Sequence, residues 1–167
     1  LISDKLSTPY SKMDIEKIDI INLINQAIDL SKNNNINIQI EKPFSVFCDV
    51  VKMSIVLKNI FDNALKYANT RDGVILKASL SKNLVIIRCI DSGPGIEEKL
   101  LEKITSPFVR GENLKKSGFG LGLSICKKIL NSHDGKLQVS NNKDKGACFL
   151  VQWDTLSMLN KLKNAKK

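Results

Sequence analysis

Apolar positions along this chain follow two rhythms, one that suits helices and one that suits strands. Ile20, Leu23, Ile24, Ala27 and Ile28 share one helical face, and Asp19 stands where a cap is expected. Three asparagines at 33–35 end that helix. The strongest periodic segment runs over 50–68, where Met53, Val56, Leu57, Ile60, Phe61, Ala64 and Leu65 make a buried stripe. A third helix is predicted over 120–132. Alternation or short apolar runs predict strands at 13–20, 36–40, 45–49, 74–80, 84–90, 136–140 and 147–153. The run 84–90 is apolar on both faces except at Arg88, as expected of a central strand. Residues 95–118 lose periodicity, and a connection that long in a compact domain marks function or disorder. The chain shows no internal repeat.

Composition changes this picture little. At 167 residues, with 43% hydrophobic and 26% charged positions, the chain suits one domain with a real core. No apolar run approaches the roughly 20 residues of a membrane span, and LISDKLSTPY lacks the features of a signal peptide. The expectation is a soluble chain, with Leu1 in place of Met hinting at more sequence upstream. A net charge of +9, carried mainly by lysine, suits an anionic partner. Aromatic content is only 5% and does not alternate with basic residues, which argues against nucleic acid. Part of the excess charge lies in 161–167, so residues 154–167 read as a basic tail, solvated and frayed. Cys48, Cys89, Cys126 and Cys148 are far apart and the chain has one histidine, which argues against zinc or a disulfide framework. They read as core thiols in a reducing cytoplasm.

Three blocks carry candidate chemistry. On the 50–68 helix, Asn59 and Asn63 are four apart and about 40° from one another around the axis. Lys66 continues the row. Amide oxygens there could ligate Mg²⁺ bearing a phosphate chain, with Lys66 neutralising phosphate charge. Taken alone, a solvated polar face is the default reading. In DSGPGI, at 91–96, Asp91 ends an apolar strand and could accept from the exocyclic amine of adenine. Gly93 and Gly95 would let the backbone approach a flat ring. An ordinary turn is the alternative. In GFGLGL, Gly118, Phe119, Gly120, Leu121, Gly122 and Leu123 lead into a helix whose bare N–H groups favour phosphate. The block is neither a Walker loop nor a dinucleotide fingerprint, and no HRD or DFG motif accompanies it.

In this order the blocks resemble the N, G1 and G2 boxes of the sensor histidine kinase catalytic domain, within the GHKL (Bergerat) ATPase superfamily. SPFVRG at 106–111 resembles its F box, KGACF at 145–149 its final glycine turn, and residues 1–20 its join to a dimerisation helix. The resemblance covers about residues 1–153. It implies an α+β fold, a two-layer α/β sandwich with a mixed β-sheet packed on three helices and a mobile ATP lid at about 96–118. It implies residues 1–12 as the end of the dimerisation helix or linker, and 13–153 as the catalytic domain.

The resemblance further implies that Asn63 ligates Mg²⁺, Asn59 supports the phosphates, Lys66 contacts phosphate and Tyr67 packs beside the nucleotide. Asp91 would fix adenine in a pocket shaped by Gly93, Gly95 and Ile96. Phe108 would anchor the lid, Arg110 would reach toward the γ-phosphate, and the GFGLGL block would hold the phosphate chain. Gyrase-like and chaperone-like members carry a general-base Glu where this chain has Asn59. An amide takes no proton from water at neutral pH, which favours phosphotransfer over hydrolysis. Phe119 departs from the small residue usual there. The only histidine, His133, reads as a turn residue, so the phosphoacceptor is expected upstream, outside this chain, and the chain is not expected to phosphorylate itself. Expected partners are a dimerisation domain of the same protein and a response regulator, with no membrane contact from this segment and the whole protein anchored in a bacterial inner membrane. An anti-sigma-type serine kinase and a nucleotide-sensing module without transfer activity are the alternatives.

Overall fold

Alternating burial sets the sheets, and 3.6-residue stripes set the helices that cover them. The computed structural model describes residues 12–31, 35–67, 73–109 and 120–166, with the Tyr67 side chain left aside. Strand β1 (Ile15–Asp19) leads directly into α1 (Ile20–Ser31), and Asp19 Oδ1 accepts the Ile21 N–H at 2.8 Å. Strands β2 (Ile36–Gln39) and β3 (Ser45–Asp49) follow, then the long helix α2 (Val50–Tyr67). The hairpin β4 (Val74–Ser81) and β5 (Leu84–Asp91) turns through Lys82 and Asn83, with Lys82 at φ 55. A four-residue helix, α3 (Glu98–Leu101), precedes α4 (Gly122–Ser132), β6 (Lys136–Asn141), β7 (Ala147–Asp154) and α5 (Thr155–Ala165).

Five strands form one mixed sheet in the order β2-β4-β5-β7-β6, with β2 parallel to β4 and the remaining pairs antiparallel. The apolar run read as central, β5, lies in the middle. Its register places Leu76, Cys89 and Phe149 in one row and Ala78, Ile87 and Val151 in the next, all buried under the helices. Helix α2 lies across β4, β5 and β7 and packs on α1 and α4. Its stripe residues Met53, Val56, Leu57, Ile60, Phe61 and Ala64 are buried, the larger ones contributing about 1.5–3 kcal/mol each relative to exposure. This is the expected two-layer sandwich with helices on one side.

The strands β1 and β3 form a separate antiparallel pair that docks against the end of the chain. The Phe47 N–H donates to Thr155 Oγ1 at 2.7 Å, and Trp153 Nε1 donates to the Phe47 carbonyl at 3.1 Å. Backbone groups on the free edge of β3 are thereby satisfied by side chains rather than by a further strand.

Two expectations need correction. Residues 154–167 were expected as a frayed tail, but 155–165 form α5, capped by Asp154, whose Oδ1 accepts the Ser157 N–H at 3.0 Å. Met158 is fully buried, and Lys161 Nζ sits 2.8 Å from Asp134 Oδ2. The lysines at its end concealed a helix whose first turns carry Leu156, Met158 and Leu159. Nor is 95–118 wholly irregular, since α3 falls within it and Ile104 packs on the core. One turn of helix is too short to show a period.

Candidate functional site

Asp91 is positioned by the alternation of β5. Val85, Ile87 and Cys89 point to the helices, and Asp91 continues that face, 5% exposed, where the apolar row ends. Its Oδ1 accepts the Gly93 N–H at 2.8 Å and the Ala147 N–H at 3.1 Å. Both bonds fall on Oδ1, so Oδ2 is left as the acceptor for a ligand. The turn that follows carries Gly95 at φ 82, a backbone state in which glycine is unstrained.

Sequence reasoning missed the residues that hold this turn from across the sheet. Asn141 Oδ1 accepts the Ile96 N–H at 2.7 Å, and Asn141 Nδ2 donates to the Ile96 carbonyl at 2.7 Å. Asn142 Nδ2 donates to the Asp91 carbonyl at 3.2 Å. Nothing in the sequence singled out two asparagines at the end of β6, where a connection begins and asparagine is common.

The asparagine row on α2 faces the start of α4. Asn63 Nδ2 donates to the Asn59 carbonyl at 2.9 Å, which turns Asn63 Oδ1 outward. A side-chain carbon added at Gly122 would lie 3.8 Å from Asn59 Cγ and 3.9 Å from Asn63 Nδ2. Asn59 also lies near the Cys126 thiol, which burial pushes up to about 12 while Asn59 acts in the opposite direction. The thiol itself donates to the Val56 carbonyl at 3.6 Å and so ties α4 to α2, with Asn59 close by. Lys66 is half-buried in the last turn of α2, where a cation also complements the helix dipole.

No side chain caps α4 at Leu121, so the first N–H groups of the helix remain directed at whatever lies before them. Gly120 has φ 70, and its carbonyl accepts the Phe108 N–H at 3.1 Å. That bond ties the middle of the connection expected as a lid to the residue just beyond its end. Phe108 itself is 75% exposed at φ 64, so among the described residues this backbone bond, and not packing of the ring, holds it in place. Leu123 is buried in the core, and Leu121 is half-buried beside the helix start. Arg110, Gly118, Phe119 and the Tyr67 side chain lie outside the described residues.

A magnesium ion fits this donor set only in the company of a ligand. Among the described residues no group of three or more His, Cys, Asp or Glu could hold a metal, whereas Asn63 Oδ1 is a hard oxygen donor beside a bare helix start. The remaining ligands would have to be phosphate oxygens and water. The thiols are no alternative, because burial raises Cys48 to about 12 and raises Cys89 further.

His133 is more than the turn residue expected from sequence. It is fully buried at the end of α4, where Nε2 accepts the Asp49 N–H at 3.1 Å and Nδ1 lies 2.8 Å from the Ile129 carbonyl. Those partners require a proton on Nδ1 and none on Nε2, and burial lowers its pKa. Asp49 in turn caps α2, its Oδ1 accepting the Lys52 N–H at 3.0 Å. The histidine thus joins the end of one helix to the start of the other and faces no solvent.

A buried carboxylate at a strand end, an asparagine row and an uncapped helix start thus lie on a mixed sheet covered by helices. The family described as histidine kinase-, DNA gyrase B-, and HSP90-like ATPase matches residues 48–156, and the chain belongs to it. It is 38% identical over 148 residues to the adaptive-response sensory kinase SasA of Prochlorococcus marinus (strain MIT 9303), covering 81% of this chain and 40% of that protein. The chain therefore spans well under half of that relative. Among solved structures, the catalytic domain of histidine kinase ThkA superposes with a TM-score of 0.72 at 28% identity, covering 86% of this chain and 99% of that one. Full-length ShkA, solved in complex with AMPPNP, gives a TM-score of 0.75 at 25% identity, covering 90% of this chain and 33% of that one.

Proposed function

We propose that this chain is the ATP-binding catalytic domain of a sensor histidine kinase and donates the γ-phosphoryl of ATP to a histidine on a dimerisation domain. The observation that carries the reading is the Asp91 carboxylate, buried at a strand end with Oδ1 occupied by two backbone donors and Oδ2 left to accept. A carboxylate oxygen in that state recognises the exocyclic amine of adenine and rejects the carbonyl that guanine presents instead. The uncapped start of α4, with Gly120 and Gly122, suits the phosphate chain. Asn63 Oδ1 would hold Mg²⁺, and Lys66 would contact phosphate. Bound Mg²⁺ supplies charge neutralisation on the phosphates.

Asn59 supports transfer over hydrolysis, because its amide cannot act as a general base on water. His133 is not the acceptor: it is buried and both ring nitrogens are engaged. Residues 1–12 are proposed as the join to the dimerisation helix, with the catalytic domain running on through α5. Residues 96–118, with Phe108, Arg110 and Phe119, are proposed as the ATP lid, and Tyr67 as a neighbour of the nucleotide. A response regulator is the proposed next acceptor. No described helix is long and apolar enough to cross a membrane, and anchoring of the whole protein in a bacterial inner membrane is part of the proposal.

The test supplies the kinase's own dimerisation domain in trans with γ-labelled ATP. Acid-labile, base-stable label on that domain is the expected result, with none on the catalytic chain incubated alone. Acid-stable label on serine would point to the anti-sigma type of kinase. Binding without any transfer would leave a nucleotide-sensing module.

A further inference from the structure

The segment from Ser92 to Glu97 has no helix or strand of its own, so its shape depends on what grips it from outside. The Asn141 amide meets both polar groups of one residue, Ile96, with two bonds of 2.7 Å. One bond would leave the loop free to swivel, whereas two opposed bonds fix its rotation as well as its distance. The approach requires the glycine at 95, since a side-chain carbon there would come within 2.9 Å of Asn141 Oδ1. The next residue, Asn142, holds the other end of the same segment through the Asp91 carbonyl. Two consecutive asparagines at the end of β6 thus grip both ends of the loop.

We propose that Asn141 is a positioning residue for base recognition, setting the Gly95–Ile96 backbone relative to the Asp91 carboxylate and so the preference for adenine. The inference rests on the nucleotide reading above. Asn141 is exposed, and bonds made at the surface exchange readily with water, so they contribute little to global stability. Their loss falls on the geometry of the loop. A ligand that has phosphates and no base makes no use of that geometry.

The experiment titrates ADP, GDP and inorganic tripolyphosphate, each with Mg²⁺, into wild type, Asn141→Ala and Asn141→Asp, with thermal unfolding of all three. ADP affinity should fall about tenfold in Asn141→Ala, the scale set by losing a pair of hydrogen bonds. The ratio of ADP to GDP affinity should shrink with it, tripolyphosphate affinity should hold, and the unfolding midpoint should stay close to wild type. Asn141→Asp keeps the shape but sets a second acceptor against the Ile96 carbonyl, so it should lose the preference as well. Unchanged base preference in both variants would overturn the inference alone. Equal losses for ADP and tripolyphosphate with a lowered midpoint would overturn it in favour of a purely structural role. Failure of wild type to bind ADP would overturn the nucleotide reading and this inference together.

Discussion

Gly146 lies against Asp91 so closely that a side-chain carbon on it would sit 2.7 Å from the Asp91 carbonyl carbon and overlap its oxygen. The same glycine has φ 87, a conformation that other residues adopt only at a cost of about 1–2 kcal/mol. Both constraints act on the residue proposed to read the base. Gly146→Ala should therefore destabilise the domain by at least ~2 kcal/mol in urea unfolding and weaken ADP binding at the same time. Wild-type stability in this variant would show that the contact relaxes without strain.

Gly122 behaves differently. Its nearest side-chain neighbours would be 3.8–3.9 Å from an added carbon, an ordinary contact, so the protein itself has room for a methyl there. Gly122→Ala should fold with unchanged or slightly raised stability, because alanine is the better helix former. Nucleotide triphosphate binding should nonetheless weaken, since the methyl projects where the phosphate chain would approach the start of α4. Calorimetric titration of an ATP analogue alongside thermal unfolding separates the two effects.

Buried His133 gives stability a pH dependence. Its folded pKa is lowered from 6.5, mainly by burial; the hydrogen bond to Ile129 and the charge of Asp49 oppose this, while Lys52 and Lys161 add to it. The unfolded chain therefore binds the proton more readily, so the contribution is complete above about pH 6.5 and is lost as pH falls below it. Urea unfolding at several values between pH 7.5 and 5 should show declining stability. His133→Gln should flatten that slope, whatever its effect on stability at pH 7.

The C-terminal helix should count as part of the domain. Met158→Ala removes a fully buried side chain and should cost about 2–4 kcal/mol in chemical unfolding. Leu156→Ala, at an exposed position on the same helix, should cost far less. Equal and negligible effects would indicate that α5 does not stay docked.

Much of this was legible in the chain. The stripe from Met53 to Ala64 and the alternation of β4, β5 and β7 settled the layers, because burial on one face leaves a strong periodic trace. The place of Asp91 at the end of β5 was legible because it breaks an apolar strand there. The docking of α5 was not, since Met158 is its one fully buried residue and the lysines that follow suggested a solvated tail. Asn141 and His133 were also concealed: their roles come from partners 45 and 84 residues away, and local pattern carries no record of such pairings. The direction of the Phe108 ring was not legible either, because a motif names a residue without giving its orientation.

The most direct test of the central claim is calorimetric titration of ADP and GDP into wild type and Asp91→Asn. The account predicts that wild type binds ADP in preference to GDP and that Asp91→Asn loses most ADP affinity, because an amide donor replaces one acceptor of the pair. Equal binding of the two nucleotides by wild type, or undiminished ADP binding by Asp91→Asn, would contradict it.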